Sequence, residues 1–194
     1  IFDFDGVIAD SENVAANLLS GFLTRLGLTC TADEVHERYF GLSRQDQLES
    51  IAAEWGVLVP ADLAEQMTLQ FDGALREPLA PIVGLTDFLD ATDQVPRAIA
   101  SGNATAHIRE QLGHIGISDR FGPHIYSGRE HVTRGKPHPD LYLHAASALR
   151  IEPRRSLVIE DSPVGVAAGV AAGAQVVGLC AGSHCREGHA ERLI

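Results

Sequence analysis

The sequence predicts an α/β fold, a doubly wound, Rossmann-like parallel sheet with an all-helical domain inserted after its first strand. Three observations predict it. Residues Ile1, Phe2, Asp3, Phe4, Asp5 and Gly6 read as a buried strand that ends in two carboxylates and a glycine. From Ser11 to about Arg76 the apolar residues follow helical patterns and make no convincing strand. From Gly84 onward strand and helix patterns alternate, which implies parallel strands joined by crossover helices. The first strand must belong to that sheet, so the helical block is an insertion, with the core expected over 1–12 and 82–194 and the helical domain over 13–81.

The elements follow in order. Val14, Leu18, Phe22 and Leu26, at steps of four, predict a first helix. Further helices are predicted over 33–39, 44–55 and 61–75, with Gly27, Gly41, Gly56 and Pro60 as punctuation. Residues 77–81, with Pro78 and Pro81, read as a linker. Strands are then expected over 95–100, 124–127, 156–160 and 175–179, and helices over 105–112, 140–149 and 164–172. The Ala- and Gly-rich run from Gly165 to Gly173 does not meet the G-x-G-x-x-G arrangement of a dinucleotide site. Its small residues are expected to serve close packing of helix on sheet.

With 194 residues and 45% hydrophobic content, the chain can bury one good core and carry a smaller second domain. A net charge of -11 leaves no basic stripe to release phosphate counterions, so nucleic acid is not an expected partner. No apolar run approaches a membrane span, and no membrane partner is expected. Cys30, Cys180 and Cys185 form an odd set without zinc-like spacing and are expected as reduced thiols, structural or incidental, in a cytoplasmic monomer. The nine histidines are read as scattered, satisfied or solvated side chains. The chain begins at Ile1 and ends without an obvious closing element, so further residues are expected beyond either end.

In an open parallel sheet the site lies outside the carboxyl ends of the strands. Those ends carry Asp3 and Asp5, then Ser101, Gly102 and Asn103, then Gly135, Lys136 and Pro137, and finally Glu160, Asp161 and Ser162. Four carboxylates in one crevice repel by roughly several kcal/mol and imply a bound cation. Oxygen donors select a hard ion, most simply Mg2+, which is commonly shared between carboxylates and substrate phosphate. A serine hydroxyl, backbone N–H groups beside glycine and one ammonium suit phosphoryl oxygens. Of the 15 basic residues only Lys136 is a lysine, so that position calls for a compact ammonium rather than a guanidinium.

In their order, Asp3-Phe4-Asp5-Gly6-Val7, Ser101, Lys136-Pro137 and Glu160-Asp161-Ser162 resemble the four motifs of the haloacid dehalogenase-like hydrolase superfamily. The inserted helices resemble the small cap of its beta-phosphoglucomutase-like phosphatase branch. The resemblance implies that Asp3 is a nucleophile forming an aspartyl-phosphate and that Asp5 is the general acid and then base. It implies Mg2+ held by the Asp3 side chain, the Asp5 backbone carbonyl and Asp161, with Glu160 acting through water. Ser101, with Gly102 and Asn103, would bind the transferring phosphoryl group, and Lys136 would offset its charge. Gly41, Leu42, Ser43 and Arg44 resemble the branch's substrate-specificity loop, with Arg44 a ligand for a distal anionic group. The insertion contains no lysine and has Ala15 where the mutases place a histidine, so the resemblance points away from a hexose-phosphate mutase and from a phosphonatase. Asp5 argues against carbon-halogen chemistry. A phosphomonoester phosphatase of small phosphorylated metabolites remains, similar to members acting on sugar-acid phosphates such as 6-phosphogluconate. The mutase and a non-catalytic sugar-phosphate binder stand as alternatives.

Overall fold

The computed structural model describes residues 1–39, 44–58, 60, 62–74, 77–185 and 188–193. The chain divides into two units, one of Ile1–Ser11 with Pro78–Ile194 and one of Glu12–Glu77.

The Glu12–Glu77 unit holds four helices, α1 (Glu12–Arg25), α2 (Ala32–Tyr39), α3 (Arg44–Trp55) and α4 (Leu63–Ala74). α1 packs on α2 and α4. Its buried face differs from the predicted stripe: Ala16, Leu19, Phe22 and Leu23 are buried, while Leu18 and Leu26 lie half-buried at its edge. A single four-residue ladder drifts off a face whose period is 3.6, and the core follows the face. Gly27, at φ 78°, turns the chain out of α1 as Leu28 N–H donates to the Leu23 carbonyl. Thr31 and Glu34 close α2 reciprocally: Glu34 accepts from the Thr31 backbone at 2.7 Å, and its own N–H donates to the Thr31 hydroxyl at 3.2 Å.

The other unit is built on a parallel sheet of β1 (Ile99–Ser101), β2 (Ile125–Ser127), β3 (Leu157–Glu160) and β4 (Gln175–Gly178). The opening segment joins the two pairs. Phe2 bridges Ile99 on one side and Ile159 on the other, both in parallel sense, giving the order β2, β1, opening segment, β3, β4. Ladder bonds on both edges hold it, among them Phe2 N–H to the Ala98 carbonyl at 2.9 Å and Asp3 N–H to the Ile159 carbonyl at 3.0 Å. The sequence order reverses direction at this segment, which makes its carboxyl end the topological switch point of the sheet.

The predicted first strand is thus shorter than expected. Beyond Asp3 the chain turns, and the Phe4 carbonyl accepts from Ile8 at 2.8 Å and Ala9 at 3.0 Å. The strand predicted over 95–100 begins only at Ile99 for a local reason. Pro96 has no N–H to give to a ladder, and the buried Arg97 guanidinium donates to the Leu89 and Thr92 carbonyls at the end of the preceding helix. α5 (Leu85–Ala91) itself has no counterpart in the sequence reading. Its seven residues carry only one buried pair, Leu85 and Leu89, too little for a periodic signal.

Crossover helices α6 (Thr105–Ile115), α7 (Asp140–Ala148) and α8 (Pro163–Ala171) link successive strands. On one face Ile1, Ala98, Ala100 and Val158 pack with Leu141, Tyr142 and Ala145 of α7 and Ala168 of α8. On the other, Phe2 meets Phe88 and Phe121 edge-on at 6.0 and 5.6 Å between ring centres. The small residues of α8 let it sit tight on the sheet, as a Cβ built on Gly169 would lie 2.8 Å from Val176 and 3.3 Å from Val158. Among the described residues no helix is long and apolar enough to cross a membrane.

One substitution therefore has opposite signs at two helical glycines. Gly21→Ala, on an exposed face of α1 with nothing within 4 Å, stabilises by about 0.5–1 kcal/mol in urea unfolding. Gly169→Ala meets stiff valine side chains, and overpacking outweighs the helix gain by about 1 kcal/mol. Equal shifts at both positions would refute the packing role of Gly169.

Candidate active site

All the chemistry-bearing positions of the α/β unit lie at carboxyl ends of its parallel strands or in the loops beyond them. Asp3 follows Phe2, Ser101 closes β1, Lys136 lies in the loop after β2, Glu160 closes β3 and Asp161 is next. Gly6, at φ 66°, makes the turn that brings Asp161 close, since a Cβ there would lie 1.7 Å from Asp161 Oδ2.

The centre of the site is one ammonium between two carboxylates. Lys136 Nζ lies 2.8 Å from Asp3 Oδ1 and 2.5 Å from Glu160 Oε1, and 5.2 Å from the centre of the Tyr142 ring. Burial alone would lower the Lys136 pKa, but Asp3, Tyr142 and Glu160 outweigh it and hold the ammonium well above its ordinary value. Glu160 is fully buried and saturated. Besides Lys136 it accepts from the Tyr142 hydroxyl at 2.7 Å, and from the backbone N–H groups of Asp161 and Ser162 and the Ser162 hydroxyl, each at 3.0 Å. Burial would raise its pKa, and Lys136 with these donors reverses that into a lowering. Gly165 in the first turn of α8 leaves room for this carboxylate, because a Cβ there would come within 1.7 Å of Glu160 Oε1.

Asp3 and Asp161 have no such compensation. Burial, then the Glu160 charge, pushes the Asp3 carboxyl well up, against the pull of Lys136. Asp161 is pushed up to about 8 by burial and by Glu160 and Asp5. Asp3 Oδ1 is buried without a hydrogen bond, its approach to Lys136 being an ion pair. One oxygen from each of Asp3, Glu160 and Asp161 lies within 4.8 Å of the others. An all-oxygen set of three buried carboxylates with a single ammonium beside it suits a hard divalent cation, and these residues fit Mg2+.

Asp5 occupies a different setting. Its carboxylate accepts from the Ser11 hydroxyl at 2.6 Å and the Asn103 amide at 2.7 Å, and burial raises its pKa against the Ser11 bond. Two acids expected on one side of a strand are thus separated by the turn at residues 4–9 and differently dressed. Ser101 is buried, and its hydroxyl oxygen accepts from Asn103 N–H at 3.1 Å. Gly102 is exposed in the same loop. Gly41, Leu42 and Ser43 lie outside the described residues, as does the side chain of Arg44, whose backbone opens α3.

Sequence reasoning missed the residues that hold this cluster from behind. Tyr142 was one apolar position of a helix, and Ser11 a loop serine; neither carries a pattern signal. The histidines were read as scattered, and here the structure differs. His184 Nε2 lies 3.0 Å from Asp161 Oδ2, and His189 Nε2 donates to the Asp161 carbonyl at 2.8 Å. Cys185, read as incidental, places its sulfur 3.5 Å from His184 Nε2. The available signal was two histidines and a cysteine within six positions, 184–189.

With this geometry in view, the comparisons place the chain. The family model described as haloacid dehalogenase-like hydrolase matches residues 1–179, and the chain belongs to that family. It is 27% identical to the 6-phosphogluconate phosphatase of Escherichia coli (strain K12), over 94% of this chain and 82% of that protein. A conserved haloacid dehalogenase-like protein of unknown function from Agrobacterium tumefaciens str. C58 superposes with a TM-score of 0.93 at 34% identity, covering 99% of this chain and 86% of that one. A hydrolase of the same family from Deinococcus radiodurans R1, solved with bound phosphate and sodium, gives a TM-score of 0.82 at 34% identity with the same coverage.

The raised carboxyl of Asp161 makes cation binding a proton exchange. Below about 8 that carboxyl keeps its proton in the metal-free protein, so an incoming cation must expel it. Titration calorimetry is expected to show Mg2+ binding tighten as the pH rises towards 8 and level off beyond, with proton release at neutral pH. An affinity flat over that range would mean that the cluster is already ionised without the cation.

Proposed function

We propose that the protein is a Mg2+-dependent phosphomonoester hydrolase that acts through an aspartyl-phosphate on a small phosphorylated metabolite, a sugar or sugar-acid phosphate such as 6-phosphogluconate. The observation that carries this reading is the Lys136 ammonium shared between Asp3 and Glu160 at the switch point of the sheet. It keeps Asp3 beside a fixed positive charge where a phosphoryl group would arrive. Family membership and the phosphatase name of the Escherichia coli relative support it.

In the first half-reaction an Asp3 carboxylate oxygen attacks phosphorus in line, the bond from phosphorus to the substrate oxygen breaks, and Asp5 gives its proton to the leaving alkoxide. In the second, Asp5 takes a proton from water, which attacks phosphorus and breaks the bond to Asp3, releasing phosphate. The raised pKa of Asp5 suits a group that must take and give up a proton, and its bonds to Ser11 and Asn103 hold it in place. Ser101, with the backbone of Gly102 and Asn103, binds the phosphoryl oxygens. Lys136 offsets the charge of the nucleophile and phosphate together. Glu160 orients Lys136 directly, and with its oxygens already engaged it would act on a cation only through water. Asp3, the Asp5 carbonyl and Asp161 would hold Mg2+, which would supply charge neutralisation for the phosphoryl oxygens. The Glu12–Glu77 unit serves as the substrate cap, with Gly41, Ser43 and Arg44 recognising the distal end of the substrate.

A panel of sugar and sugar-acid phosphates, assayed for phosphate release with and without Mg2+, tests the substrate class. Asp3→Asn is expected to abolish turnover while substrate still binds, and Asp5→Asn to slow it by about 10²–10⁴-fold. Full activity of Asp3→Asn would sink the mechanism. Conversion of beta-glucose 1-phosphate to glucose 6-phosphate outpacing phosphate release would make the protein a mutase.

A further inference from the structure

Beside the acidic cluster lies a second group of metal-ligating side chains whose donor chemistry is different. One ring nitrogen each of His184 and His189 and the sulfur of Cys185 all lie within 4.8 Å of one another. Both histidines are buried and Cys185 is half-buried.

The surroundings place these rings. A Cβ on Gly182 would sit 2.5 Å from the His184 ring and one on Gly6 2.9 Å from it, so two glycines make the space it fills. The His189 Nε2–H donates to the Asp161 carbonyl at 2.8 Å, which orients the ring and, when the imidazole is neutral, leaves its lone pair on Nδ1. Metal-binding histidines are held in this way, one ring N–H on a carbonyl and the other nitrogen given to the ion. The 3.5 Å between Cys185 Sγ and His184 Nε2 is close to the edge of a tetrahedron with metal–sulfur and metal–nitrogen bonds of about 2.3 and 2.0–2.1 Å.

We propose that His184, Cys185 and His189 form a second cation site that takes a borderline transition-metal ion of the zinc class. Two imidazoles and a thiolate select such an ion over Mg2+, and three protein ligands leave a fourth position for water. His184 Nε2 is also the atom 3.0 Å from Asp161 Oδ2, so an ion that takes its lone pair replaces that contact. Occupancy therefore reaches into the acidic cluster. The consequence for turnover, which rests on the phosphatase reading, is that zinc lowers the Mg2+-dependent rate by loosening the hold on Asp161.

Cobalt makes the site visible without any assay of activity. With the full chain held in excess Mg2+ to fill the oxygen cluster, titration with Co2+ is expected to give a thiolate-to-cobalt charge-transfer band that saturates at one equivalent and is abolished by Zn2+. Cys185→Ser is expected to remove the band, and His189→Ala to weaken Co2+ binding at least about ten-fold. Independently of any variant, Zn2+ should slow alkylation of Cys185 in the unaltered protein at least about ten-fold, as mapped by mass spectrometry. No thiolate band, a band that survives in Cys185→Ser, or unchanged alkylation would each overturn the site. A site present by absorption with phosphate release indifferent to Zn2+ would overturn only its effect on turnover.

Discussion

The structure depends on one ammonium. Asp3, Glu160 and Asp161 are all buried at the meeting point of the sheet, and Lys136 is the cation set among them. Charges this close in a partly dry site interact by roughly several kcal/mol each, so a single positive group cannot balance three acids. The fold resolves this unequally. It gives Glu160 five donors and leaves Asp3 and Asp161 short, which raises their pKa values. The same imbalance is what makes the three carboxylates fit a hard divalent cation.

The architecture behind that imbalance is close packing at glycines. Gly6 admits Asp161, Gly165 admits Glu160, and Gly182 admits His184, each at distances that a methyl group would close. The backbone at these glycines is thus brought directly against Asp161, Glu160 and His184. This fits a chain with few aromatics, whose tight contacts come from small residues. It also means that the site tolerates little change in residues that carry no chemistry of their own.

Much of this was legible in the sequence. The strand ends, the alternation after Gly84 and the lone Lys136 were visible because each is a local pattern or a departure from the chain's own habit. The short helix Leu85–Ala91 was not, as one buried leucine pair makes no period. The late start of β1 turned on where the Arg97 side chain goes, and no window of residues around it contains the Leu89 and Thr92 carbonyls in their folded positions. Tyr142 and Ser11 escaped notice because their partners are distant in sequence or reached through a turn. His184, Cys185 and His189 could have been noticed by spacing, but their neighbourhood with Asp161 comes only from the way the chain returns past Gly6.

The opening segment lies in the middle of the sheet, and its edges are completed by residues much further along. Asp3 N–H waits for the carbonyl of Ile159, and the N–H of Ile1 for that of Leu157, 156 positions away. Closing so long a loop is slow relative to the local helices between. During synthesis this segment would be placed only after β3 had been made, with the Glu12–Glu77 helices free to form while the sheet is still missing that edge. A nascent chain would thus carry Asp3 apart from Lys136, Glu160 and Asp161 until residue 161 had emerged, so the acidic cluster comes into being only as the sheet closes.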